Sequence, residues 1–137
     1  REMAKLDVPV VAIITGEGCS GGALGLAVAD KVFLLEHAYY TVISPEGCAS
    51  ILWRDATKAS DAADALKITA KDLMKFDVID GEIAEPVGGA HTNYEEVSAN
   101  MKKAILDSIE ELEKLSVKDL KENRYQKFRK MGAFLEG

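Results

Sequence analysis

The sequence contains few of the residues that crosslink small proteins or bind metals in them. It has two cysteines and two histidines among 137 residues, too few for a disulfide framework and without metal-ligand spacing. No apolar run approaches the roughly 20 residues that span a bilayer, and no pattern typical of a secretory signal is visible. We therefore expect a cytoplasmic protein that holds no metal in this chain and does not bind a membrane.

Net charge and composition narrow the class of protein further. A formal net charge of −6 argues against nucleic acid as the main ligand. The apolar share of 47% and the charged share of 29% are typical of a globular protein. The chain begins at Arg1, and residues 1–6 are typical of the end of a helix whose beginning is missing. We expect a fragment of a larger protein.

The first third of the chain predicts alternating strands and helices. Residues 8–14 form an apolar, β-branched run typical of a strand buried on both faces. A glycine-rich turn at 15–22 leads into small apolar residues at 23–29, which predict a buried helix. Two further strands are expected at 32–35 and 40–43. This order indicates an α/β layered fold.

Helix-start patterns divide the remainder of the chain into separate helices. Ser44 followed by Pro45 predicts a helix start, and residues 56–76 are helical in composition with a break near Thr69. A short strand is expected to end at Ile83. The last third predicts two helices, and their expected boundaries are capping boxes at Thr92/Glu95 and Ser116/Asp119 and a stop at Gly132.

The glycine-rich turn is the strongest candidate for a functional site. A glycine turn between a strand and a helix directs backbone N–H groups at an anion or a developing oxyanion. A phosphate loop would need a lysine that is absent here. Residues 18–22 fit the G-x-S-x-G pattern of serine hydrolases, with His91 as the downstream histidine; Ser20 fits a helix cap better than a nucleophile. A turn that only packs helix on sheet stays open.

Four segments resemble one known family. Residues 16–24 (GEGCSGGAL), 43–53 (ISPEGCASILW), 85–91 (EPVGGAH) and 124–129 (RYQKFR) are similar to the alpha-subunit family of bacterial acetyl-CoA carboxylase carboxyltransferases, within the crotonase superfamily. The resemblance covers essentially the whole chain. Cys19 departs from it, because a glycine is expected there in many relatives.

The resemblance implies a fold, a reaction and partners. It implies the C-terminal part of a crotonase fold over 1–91 and a helical extension over 92–137. The family transfers a carboxyl group from carboxybiotin on a biotin carboxyl carrier protein to acetyl-CoA, which forms malonyl-CoA in the first committed step of fatty acid synthesis. A carboxyltransferase beta subunit is the implied partner, commonly in an alpha2beta2 assembly, and the chain alone is expected to be inactive.

The resemblance also implies site residues. The N–H groups of Gly21 and Gly22 would bind the ureido oxygen of biotin, where negative charge develops as the carboxyl group leaves. The implied substrate-binding residues are Gly18, Cys19, Ser20, Ser44, Pro45, Glu46 and Gly47. Glu17 could act as an acid–base group or be solvated. Another crotonase-type enzyme (a hydratase, isomerase or decarboxylase) and a non-catalytic assembly module remain alternatives.

The final helix is predicted to be basic. Its cations are Lys118, Lys121, Arg124, Lys127, Arg129 and Lys130. A solvated face explains them, and a contact with CoA phosphates or with an acidic partner is the alternative.

Overall fold

Two short parallel sheets form the centre of the molecule. The strands, numbered in chain order, are β1 (Val11–Ile14), β2 (Glu17–Cys19), β3 (Lys31–Leu35), β4 (Tyr39–Thr41) and β5 (Gly81–Ile83). The first sheet has the order β1-β3-β5, and the second pairs β2 with β4; all three pairings are parallel.

Helices connect and cover these strands. The computed structural model describes residues 1–132. Its helices are α1 (Ser20–Leu26), α2 (Pro45–Trp53), α3 (Ala59–Leu66), α4 (Ala70–Lys75), α5 (Tyr94–Leu112) and α6 (Val117–Lys130), with 3₁₀ turns at Met3–Lys5, Ala56–Lys58 and Ala90–Thr92. Within the described part of the chain, no helix combines the length and the apolar character that crossing a membrane requires. The predicted α/β order is confirmed.

The core is centred on β3 rather than on the first strand. Val32, Leu34 and Leu35 are buried, because β3 lies between two strands and both its faces are covered. β1 is an edge strand whose four residues are all half-buried, and Val8 is 57% exposed. The prediction of a doubly buried strand over 8–14 is therefore wrong.

α1 is exposed, which contradicts the predicted buried helix. None of its seven residues is buried; Leu24 and Leu26 are 43% and 69% exposed. Only Ala23 contributes to the core, at its edge. Apolar composition predicted burial, but this short helix packs against the core only through the small residue Ala23. Composition does not show which elements cover the other side chains of a helix.

The middle of the chain folds as predicted. The Ser44 hydroxyl accepts a hydrogen bond from the backbone N–H of Gly47 at the start of α2. Thr69 caps α4 in the same way, accepting from Asp72, so the predicted break near Thr69 is a helix boundary. The expected strand ending at Ile83 is β5.

The cap of α5 lies one residue later than predicted. Asn93, not Thr92, accepts the backbone N–H of Glu96 through its side chain at 3.1 Å, and its amide donates to the Glu96 carboxylate. The Thr92 hydroxyl instead donates to the carbonyl of Gly89 at 2.7 Å. The Thr92 hydroxyl therefore binds the preceding loop instead of capping α5.

The last helix begins and ends where the sequence predicts. Ser116 caps α6 through the N–H of Asp119, and α6 ends at Lys130, before Gly132 with its φ of +87°. Val97 and Leu112 of α5 and Leu120 of α6 are buried. The boundary of a helical extension at residue 92 stays a prediction.

Candidate functional site

The glycine-rich segment is partly a strand. Residues 15–22 were expected to form a turn, but Glu17–Cys19 form β2 and pair in parallel with Tyr39–Thr41. A Cβ on Gly18 would stand 2.8 Å from the Ile14 side chain and 3.2 Å from the carbonyl oxygen of Tyr39. Packing therefore requires a glycine at position 18, because only glycine lets β2 approach β4 this closely.

Ser20 lies at a strained bend between β2 and α1. Its φ is +64°, a region that non-glycine residues seldom adopt and that is frequent at functional sites. The residue before α1 is Cys19, and within residues 1–132 it makes no side-chain capping bond to the helix. Ser20 is the first residue of α1 and Cys19 holds the cap position, so the interpretation of Ser20 as the helix cap is wrong.

Gly21 and Gly22 have no packing reason to be glycine. Among the described residues, no atom lies within 4 Å of where their Cβ atoms would stand, apart from the adjacent residues and the nearby backbone of α1 itself, and neither residue has a positive φ. In a helix, each glycine costs about 0.5–1 kcal/mol relative to alanine. Gly25 of the same helix is equally open, so the open space at Gly21 and Gly22 allows close approach of a ligand or of another chain segment without requiring it.

The second predicted segment lies at the start of α2. Pro45 occupies its first turn, and Glu46 is an exposed acid there. A Cβ on Gly47 would lie 3.1 Å from both the Ile43 side chain and the Ser44 hydroxyl. Gly47 is therefore constrained by the cap, and Glu46 is free to face solvent or a ligand.

Tyr39 lies beside the first predicted segment. It is the parallel neighbour of Glu17 on β4 and is half-buried. Burial raises the pKa of the Tyr39 hydroxyl, and the negative charge of the neighbouring Glu17 carboxylate raises it further; Cys19 and Glu46 add smaller effects in the same direction. The pKa of the Tyr39 hydroxyl is therefore influenced most by burial and by its neighbour Glu17.

An open cleft of about 400 Å³ lies along this segment. Its wall contains Ala12, Ile13, Ile14, Thr15, Gly16, Glu17, Gly18, Cys19, Ala23, Leu26 and Ala27. Ser20, Gly21 and Gly22 connect two of the lining residues, Cys19 and Ala23. A groove of about 480 Å³ lies elsewhere, between α5 and β3–β5, but ion pairs such as Lys31–Glu111 and Lys103–Asp107 cross or border it. We place the candidate site at the cleft because predicted residues gather there.

A known protein family matches nearly the whole chain. A model of the family described as acetyl co-enzyme A carboxylase carboxyltransferase-like matches residues 1–132. The chain belongs to this carboxyltransferase family. The family-specific segments at 16–24, 43–53 and 85–91 all fall within the match.

Relatives within the carboxyltransferase family are similar over nearly the whole chain. The acetyl-coenzyme A carboxylase carboxyl transferase subunit alpha of Geobacter metallireducens is 57% identical over 136 residues, covering 99% of this chain and 43% of that protein. The subunits of the same name from Clostridium beijerinckii and Thermus thermophilus are 56% and 54% identical. The chain spans less than half the length of these curated relatives.

A solved structure supports the fold of the family. Transcarboxylase 12S, solved with methylmalonyl-coenzyme A and methylmalonic acid bound, matches with a TM-score of 0.65 at 17% identity, over 82% of this chain and 22% of that one. The predicted crotonase fold is confirmed by this neighbour and by the parallel strands with their covering helices.

Half of the basic side chains of the final helix pair with acidic residues elsewhere in the chain. Lys121 pairs with Asp7, Arg124 with Asp30, and Lys127 with Asp80. Half of the six predicted cations therefore hold α6 against the rest of the chain.

The position of Tyr39 beside Glu17 was not predicted from the sequence. Strand alternation places Tyr39 and Thr41 on one face, but the register that sets Tyr39 beside Glu17 depends on the parallel pairing.

Proposed function

We propose that the chain is part of the alpha subunit of an acetyl-CoA carboxylase carboxyltransferase and contributes the biotin side of its active site. The reaction moves a carboxyl group from carboxybiotin on a biotin carboxyl carrier protein to acetyl-CoA, forming malonyl-CoA for fatty acid synthesis in the cytoplasm. A beta subunit completes the active site, in an alpha2beta2 assembly. The proposal rests on the family membership and on the unforced glycines beside the cleft.

The residues present fit a bicyclic ureido ring. The cleft volume of about 400 Å³ lies within the usual range of small-molecule sites. Its wall carries apolar side chains, including Ile13, Ile14 and Leu26, that suit the thioether ring and the alkyl arm of biotin. The open positions of Gly21 and Gly22 allow a ligand to reach the backbone without meeting a Cβ.

Each residue then has a defined role. The backbone N–H groups of Gly21 and Gly22 donate to the ureido oxygen, and they stabilise the reaction most when that oxygen is most negative. Gly18 and Cys19 shape the cleft wall, while Ser20 sets the bend that presents the donors. Ser44, Pro45, Glu46 and Gly47, at the start of α2, are the further substrate-binding residues that the family resemblance implies. Bound carboxybiotin supplies the carboxyl group, and no protein base is required of this chain.

Carboxyl transfer between malonyl-CoA and biocytin tests the proposal, with the complete alpha chain co-purified with a beta subunit. Gly22→Val should lower kcat/KM at least 100-fold, because the added side chain would keep the ureido oxygen away from the backbone N–H groups, and losing one oxyanion donor costs about 10²–10³-fold. Gly25→Val is the matched control, because Gly25 lies on the same helix and is equally open. No transfer by the wild-type complex would refute the function, and full activity of Gly22→Val would remove Gly22 from the site.

A further inference from the structure

We draw no further inference here: the strongest candidate, the outward apolar face of α2, where Ile51, Leu52 and Trp53 are exposed while the small residues Cys48 and Ala49 are buried, carries none because nothing in the described residues 1–132 shows what covers it.

Discussion

Arg124 and Asp30 form a buried, bidentate ion pair across 94 positions of sequence. Nε and one terminal nitrogen of Arg124 donate to the two Asp30 oxygens at 2.8 and 2.7 Å, and both side chains are almost fully buried. The other guanidinium hydrogens donate to the carbonyls of Met3, Leu6 and Val8. This single side chain therefore joins α6 to the N-terminal segment and to the start of β3.

We expect Arg124→Met to lower the free energy of unfolding by about 3–5 kcal/mol, because removing one partner leaves Asp30 charged, buried and unpaired. Urea titration followed by circular dichroism measures the loss. Arg129→Met is the control, since Arg129 is exposed on the same helix, and it should change stability by no more than about 0.5 kcal/mol. Equal effects of the two substitutions would contradict this account of the ion pair.

The ion pair also shows what sequence reasoning could not reach. The pattern at 118–130 predicted a basic helix, but the choice between a solvated face and a ligand contact depended on partners far away in sequence. Asp7, Asp30 and Asp80 lie 47 to 114 positions from the lysines and arginine that they bind. Local spacing carries no signal for such pairs.

Local chemistry, in contrast, predicted several boundaries correctly. Ser44 before Pro45, Thr69 and Ser116 each begin a helix because their hydroxyls accept an N–H from the first turn. Burial was harder to predict from the sequence: α1 has the composition of a core helix, yet Leu24 and Leu26 are exposed. The glycines at 21 and 22 were identified from the family motif, and Tyr39 needed the strand register.

Ser20 should respond to substitution in an unusual direction. Its φ of +64° costs roughly 1–2 kcal/mol in a residue with a Cβ, so Ser20→Gly is expected to stabilise the fold by up to about 1 kcal/mol. Ser98→Gly is the matched control, because Ser98 is an exposed residue inside α5, where glycine is destabilising by about 0.5 kcal/mol. Urea midpoints that shift in the same direction would contradict the strain at Ser20.

The corrected cap of α5 gives a second stability test. Asn93→Ala removes the acceptor of the Glu96 N–H and should cost about 1 kcal/mol. Hydrogen exchange at the Glu96 amide should become faster in the same variant. Asn123→Ala, an exposed position within α6, should be neutral or slightly stabilising because alanine favours a helix interior. Unchanged exchange at Glu96 would show that Asn93 is not the cap.

Glu85 should make stability depend on pH. Its side chain is 94% buried, and burial alone would raise its pKa. The backbone N–H and ring of His37 donate to it at 2.6 and 2.8 Å, and the N–H of Ala90 donates at 2.9 Å; these bonds outweigh burial and lower the pKa of Glu85. The clasp joins the turn after β3 to the loop before α5.

A lowered pKa in the folded state means that ionised Glu85 contributes stability above its unfolded pKa of about 4.3. That contribution is lost as the pH falls through the lower folded-state value. We expect the difference in unfolding free energy between wild type and Glu85→Gln to be fully present at pH values above the unfolded pKa and to shrink below about pH 4. Urea titrations from pH 7 to pH 3 measure it, with the exposed Glu113→Gln as a control that shows a small difference at every pH. A difference for Glu85→Gln that stays constant across this range would mean that hydrogen bonds to the ionised carboxylate do not hold the clasp, and that shape alone does.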